Sequence, residues 1–98
     1  MELWEEKAKA AYLMYEDEPT YIKAYSKNGF YIVHGEIVIY CFNQRYEKEW
    51  EFSARDIWVT QDDSEAILLL DEFIELKDWL GYSYRLDYQG NIMIDIKL

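Results

Sequence analysis

The chain is poor in the residues on which most catalytic and metal chemistry depends. It holds one cysteine, Cys41, and one histidine, His34, in 98 residues. A single cysteine excludes an intramolecular disulfide, and its setting among Ile39, Tyr40 and Phe42 marks it as a small core residue rather than a nucleophile. His34 has no spaced partner of the usual ligand kind, so neither a metal nor a cofactor is expected. It reads as a strand residue near Lys23 or Glu36. Four glycines are too few for a phosphate-cradling loop, and no GxSxG or dinucleotide fingerprint is present. The one proline, Pro19, reads as a helix stop. No apolar run is long enough to span a bilayer and no signal-peptide pattern opens the chain, so a cytoplasmic protein without membrane contact is expected.

Positive charge is scarce too. Ten Lys and Arg stand against twenty Asp and Glu, a formal net charge of −10. Such a chain repels nucleic acid and anionic membranes and is drawn to basic surfaces, including those of nucleic-acid-binding proteins. The basic residues are scattered and do not interleave with aromatics as in a nucleic-acid platform. Carboxylates are abundant, yet no pair stands out as a general acid and base, so no catalytic residue is assigned and the chain is not read as an enzyme. Ten tyrosines suit either a contact surface or half-buried strands.

What is present is enough for one α+β domain over residues 1–98, a two-layer arrangement with a mostly antiparallel sheet of four to five strands. Residues 2–17 read as a first helix, with Leu3, Trp4, Ala8, Ala10, Ala11, Met14 and Tyr15 on its buried face and the acidic knot Glu16, Asp17, Glu18 at its end. Thr20 to Lys27 reads as a strand closed by Asn28-Gly29, a type I′ hairpin signal that sets Lys27 opposite Phe30, Tyr25 opposite Ile32 and Lys23 opposite His34. The apolar run that follows, to Phe42, reads as one long central strand bent at Gly35, with a turn at His34-Gly35 as the alternative. Tyr46 to Ser53 alternates, with Tyr46, Lys48, Trp50 and Phe52 on one face. At the C-terminus, a three-residue turn with Gly90 or Asn91 in the left-handed position would pair Tyr88 with Ile92, Leu86 with Ile94 and Arg85 with Asp95.

The stretch from Asp62 to Leu80 reads as a second helix, capped by Asp62 with Glu65 three residues on, charged favourably by Asp63, and ended by Gly81. Its broad apolar face would pack on the sheet. Asp71, Glu72, Glu75 and Asp78 fall on the other face, where Leu68 and Trp79 break the pattern. Leu68, Glu72, Glu75 and Trp79 follow i, i+4, i+7, i+11 and would form one line. They read either as a binding ridge of two apolar anchors with carboxylates between, or as residues covered by a terminal strand or loop. Glu47, Glu49 and Glu51 alternate on a strand, roughly 6–7 Å apart. Such a row has a spacing similar to that of successive phosphates, and it would equally suit a solvated sheet face.

In composition the whole chain resembles phage-encoded anti-CRISPR and antirestriction proteins, which are short, acidic, aromatic-rich and cysteine-poor. The resemblance implies binding to a basic protein, such as a CRISPR effector or nuclease; the residues assigned to that contact from the strand and helix readings are Glu47, Glu49, Glu51, Glu72, Glu75 and Asp78, with Leu68 and Trp79 as apolar anchors. It implies no direct contact with nucleic acid. An immunity protein against a nuclease toxin, and a homo-oligomeric structural or regulatory module (a homodimer among its forms), are the competing expectations.

Overall fold

A computed structural model of the protein describes residues 2–16, 20–61 and 64–97. The expected Pro19 stop, the Asp17 and Glu18 part of the acidic knot, the Asp62 cap with Asp63, and Leu98 lie outside those residues. Among the described residues, one helix and two four-stranded antiparallel sheets make an α+β fold. The order is α1 (Leu3–Leu13), β1 (Tyr21–Lys27), β2 (Phe30–Gly35), β3 (Val38–Phe42), β4 (Lys48–Ser53), β5 (Ile67–Leu69), β6 (Ile74–Lys77), β7 (Tyr82–Leu86) and β8 (Ile92–Lys97). Strands β1 to β4 form the first sheet and β5 to β8 the second, each joined in sequence order.

Helix α1 starts at a capping box in which the Glu5 carboxylate accepts from the Glu2 backbone N–H. Its buried face is Ala8, Ala11 and Tyr12, with Trp4 half-buried, while Leu3, Ala10, Met14 and Tyr15 are exposed. The expected face is thus rotated. The alanines let the helix lie close to the sheet, and Tyr12 inserts where Gly35 leaves room for its ring. Ala24, Val33, Val38, Tyr40 and Phe42 complete this layer.

The other face of the first sheet meets the second sheet. Ile32, Ile39 and Cys41 pack there against Trp58, Ile67, Ile74, Leu76, Tyr84 and Leu86. Each such side chain taken out of water contributes about 1.5–3 kcal/mol. Strands β2 and β3 are therefore covered on both sides, which explains their unbroken apolar sequence.

The β1–β2 hairpin has the expected turn, with positive φ at Asn28 and Gly29, and the expected register. The long bent strand is not found. The chain reverses at Glu36-Ile37, and β2 and β3 pair with His34 opposite Ile39. The turn is pinned from outside, as Glu36 N donates to Thr20 O and Trp58 N donates to Glu36 O. Nor is there a helix over the described part of the expected one, residues 64–80. Leu68 pairs with Glu75 across a β5–β6 hairpin, and Ile74, Leu76 and Asp78 alternate with Glu75 and Lys77 at period two. The apolar face of the first sheet needs a cover wide enough for Ile32, Ile39 and Cys41, and a second sheet supplies it. Gly81 does take a positive φ, but it closes the turn between β6 and β7.

The C-terminal hairpin pairs Leu86 with Ile92, Arg85 with Ile94 and Tyr84 with Asp95, not the expected partners. The Asp87 carboxylate accepts from the N–H groups of Gln89 and Asn91 and so builds a longer turn, with Gly90 at φ +89°. Tyr88 is thereby released from the ladder. Its ring turns into the core and its hydroxyl donates to Leu70 O.

Candidate partner-binding surface

Antiparallel connection in sequence order puts alternate turns at the same end of the sandwich. The turns at 28–29, 43–47, 70–73 and 87–91 share one end, and hydrogen bonds tie them together. Asn28 Nδ2 donates to Asp71 O at 2.6 Å, Gln44 Nε2 to Gly29 O at 2.7 Å, and Trp50 Nε1 to Tyr88 O at 2.9 Å. Lys27 Nζ lies 2.9 Å from the Asp71 carboxylate and holds it below its ordinary pKa. This end carries Glu47, Glu49, Asp71 and Glu72, all exposed.

The residues expected to form one surface divide among several. Glu47 and Glu49 come from the first sheet and Glu72 from the second, and the turns bring them to the same end. Glu51 does not join them. A bulge between Cys41 and Phe42 pairs Cys41 with Trp50 but Phe42 with Lys48, so Glu49 is the extra residue and the row of three carboxylates is broken. Glu51 instead faces the helix side, 2.8 Å from Lys48 Nζ. Lys48 therefore does not share the face of Trp50 and Phe52. Tyr46, at φ +61°, leaves that face too and stacks on Tyr31, which stacks on Trp4.

Leu68 and Glu75 lie on the outer face of the second sheet, in a groove of about 340 Å³ also lined by Lys77, Ser83 and Arg85. Leu68 is 51 % exposed, while Glu75 pairs with Arg85 at 2.7 Å. Trp79 is 41 % exposed at the opposite end of the sandwich, near the turn that carries Leu80 and Gly81. Asp78 is only 1 % exposed and accepts from Tyr82 N and the Tyr84 hydroxyl, so it has no surface to present to a partner. The line Leu68, Glu72, Glu75, Trp79 does not exist, because the helix that would align it is a hairpin and two turns.

No family model matches this chain, and no curated protein matches it.

Six of the ten positive charges lie over aromatic rings within the fold. Lys7 lies over the ring of Tyr46, Lys9 over Tyr21, Lys23 over Tyr25, Lys48 over Tyr15, Arg55 over Tyr82 and Arg85 over Phe73. The five pairs with tyrosine account for part of the tyrosine count, and all but Lys23–Tyr25 join residues at least twelve positions apart, which the sequence did not reveal. Asp71 was also missed as a member of the acidic end, since its link to Lys27 spans 44 positions. Among the described residues no group of three or more His, Cys, Asp or Glu gathers as for a metal ion, and no helix is long and apolar enough to cross a membrane. Burial pushes the Cys41 thiol up to about 12, which leaves it a poor nucleophile.

Proposed function

We propose that the protein acts by binding a basic protein surface, as a nucleic-acid mimic of the anti-CRISPR or antirestriction type, without catalysis and in the cytoplasm. The observation that carries this reading is the turn end of the sandwich. There Glu47, Asp71 and Glu72 on the turns and Glu49 near the start of β4 share one end of the sandwich, and side-chain hydrogen bonds tie those turns together. A preorganised set of carboxylates costs little entropy to dock, and a net charge of −10 speeds encounter with a basic partner. Leu68 and Trp79 lie elsewhere and are not assigned to this contact.

The test is capture of partners from nuclease-treated bacterial lysate on the tagged protein, followed by DNA competition on the partner recovered. A basic nucleic-acid-binding protein that is displaced from DNA by this chain supports the reading. A toxin nuclease encoded beside it moves the protein to the immunity class. Recovery of the chain alone, with a doubled mass in light scattering, replaces the reading with self-association.

A further inference from the structure

Strand β4 is an edge of the first sheet, paired with β3 on one side and with no strand on the other. The direction of its amides follows from the β1–β2 hairpin. The two-residue turn at Asn28-Gly29 makes Lys27 and Phe30 a hydrogen-bonded pair. Pairs alternate along an antiparallel ladder, so Phe30, Ile32 and His34 turn their backbone groups to β1, and Tyr31 and Val33 turn theirs to β3. In β3, Tyr40 and Phe42 then answer β2, while Ile39 and Cys41 face β4. Phe52 and Trp50 sit opposite Ile39 and Cys41, which leaves the N–H and C=O of Glu51 and Ser53 pointing out of the sheet. The bond from Asn43 N to Glu47 O fits the same alternation.

Edge strands are often closed to pairing by lysines, a proline or a bulge. Strand β1, the other edge of this sheet, carries Lys23, Lys27 and a bulge at Ile22. In β4 the bulge at Glu49 and the cation of Lys48 blunt only the start. From Trp50 to Ser53 the register with Cys41 to Val38 is unbroken, and Glu51 and Ser53 are exposed. The charge along this edge is negative, with Glu47, Glu49 and Glu51 against Lys48. Tyr40, directly opposite Glu51, donates its hydroxyl to Glu16 at 2.6 Å and so adds a carboxylate on the helix side.

We propose that β4 is a docking edge for an extended segment of the partner rich in lysine or arginine, which joins the first sheet as a further strand and pairs with Glu51 and Ser53. Main-chain bonds hold such a strand, and cations beside Glu49 and Glu51 select it. A second copy of this chain fits poorly, because β4 laid against β4 brings the glutamates of both together. The proposal deepens the partner-binding reading and rests on it for the charge of the segment.

The test is a titration of ¹⁵N-labelled protein with a blocked heptapeptide of alternating lysine and threonine, read at the backbone amides. The Glu51 and Ser53 signals should move downfield and saturably, and their hydrogen exchange should slow. The same peptide methylated at every backbone nitrogen keeps its charge but cannot pair, and should leave both signals in place. Ser53→Pro removes one outward N–H without touching the ladder to β3 or the net charge, and should weaken binding by about fivefold or more. If that variant does not fold, the two peptides on the unaltered protein decide alone. Unmoved Glu51 and Ser53 signals overturn the proposal. So does an equal response to the methylated peptide, which would make the attraction one of charge only and leave the basic-partner reading intact. A doubled mass in light scattering that Ser53→Pro abolishes also overturns it, by giving the edge to a second copy. Failure of the basic-partner reading shows elsewhere, as no basic protein captured from lysate while the peptide still docks.

Discussion

Tyr84 donates a 2.8 Å hydrogen bond to the Asp78 carboxylate inside the sandwich, and Arg55 donates through both its backbone N–H and its guanidinium to the same hydroxyl. The chain Arg55, Tyr84, Asp78 ties the connection after β4 to the middle of the second sheet. Asp78→Ala should therefore destabilise the fold by about 1–3 kcal/mol, the cost of leaving buried groups unpaired. Urea denaturation measures it. Partner capture by the folded fraction should not change.

Gly35 is required by packing rather than by its own backbone angle. A Cβ there would meet the Tyr12 hydroxyl and lie 2.9 Å from Val38 O. Gly35→Ala should cost about 1–3 kcal/mol by forcing α1 off the sheet. Tyr12→Phe combined with it should recover part of the loss, because the hydroxyl is the nearest obstacle. A double variant no more stable than Gly35→Ala would place the obstruction in the Val38 backbone instead.

His34 makes stability depend on pH. Burial holds its imidazole below the usual histidine range, against the opposing effects of its bond to Trp58 O and the field of Glu65. The unfolded chain takes up the proton near about pH 6.5, and the folded chain takes it up only lower. Stability should thus fall as pH drops below about 6.5, by at most about 1.4 kcal/mol per pH unit, and level off below the folded pKa. His34→Gln should remove this slope in urea midpoints measured above the carboxylate range.

The region over residues 62–80 gives a direct test of the fold. Cross-strand nuclear Overhauser contacts between Leu68 and Glu75, and between Glu75 and Arg85, should be present. Far-UV circular dichroism should report little more helix than the eleven residues of α1. Helical i, i+3 contacts across Leu68 to Glu75 would contradict the second sheet as described.

Much of the fold was legible where one residue pair carries the geometry. Asn28-Gly29 defined a hairpin and its register, because few residues other than Asn and Gly accept successive positive φ. The two-sided apolar run to Phe42 marked the centre of a sheet, and Gly35 marked a break in it, read as a bend with a turn at His34-Gly35 as the alternative; the chain reverses just beyond, at Glu36-Ile37. Residues 62–80 were misread for a physical reason. Apart from Leu68 and Trp79, the apolar residues from Ala66 to Leu80 fall within one half of a helical wheel, while Ile67 with Leu69 and Ile74 with Leu76 also alternate as on two short strands, and only the apolar area of the opposite sheet separates the two readings. The acidic end was half legible. Glu47, Glu49 and Glu72 were singled out, but the bulge that removes Glu51, the burial of Asp78 and the link from Lys27 to Asp71 depend on contacts between distant segments.

The measurement that bears most directly on the proposed function compares two variants of equal net charge. Glu49→Lys with Glu72→Lys reverses the acidic end, and Glu6→Lys with Glu65→Lys makes the same change in charge elsewhere on the exposed surface. Both are used as bait for the captured partner over stepped salt. The account predicts that the first loses the partner at salt concentrations where the second and the unaltered protein retain it. Equal retention by both variants, or equal loss, would contradict it, because binding would then follow total charge or some other surface rather than the turn end of the sandwich.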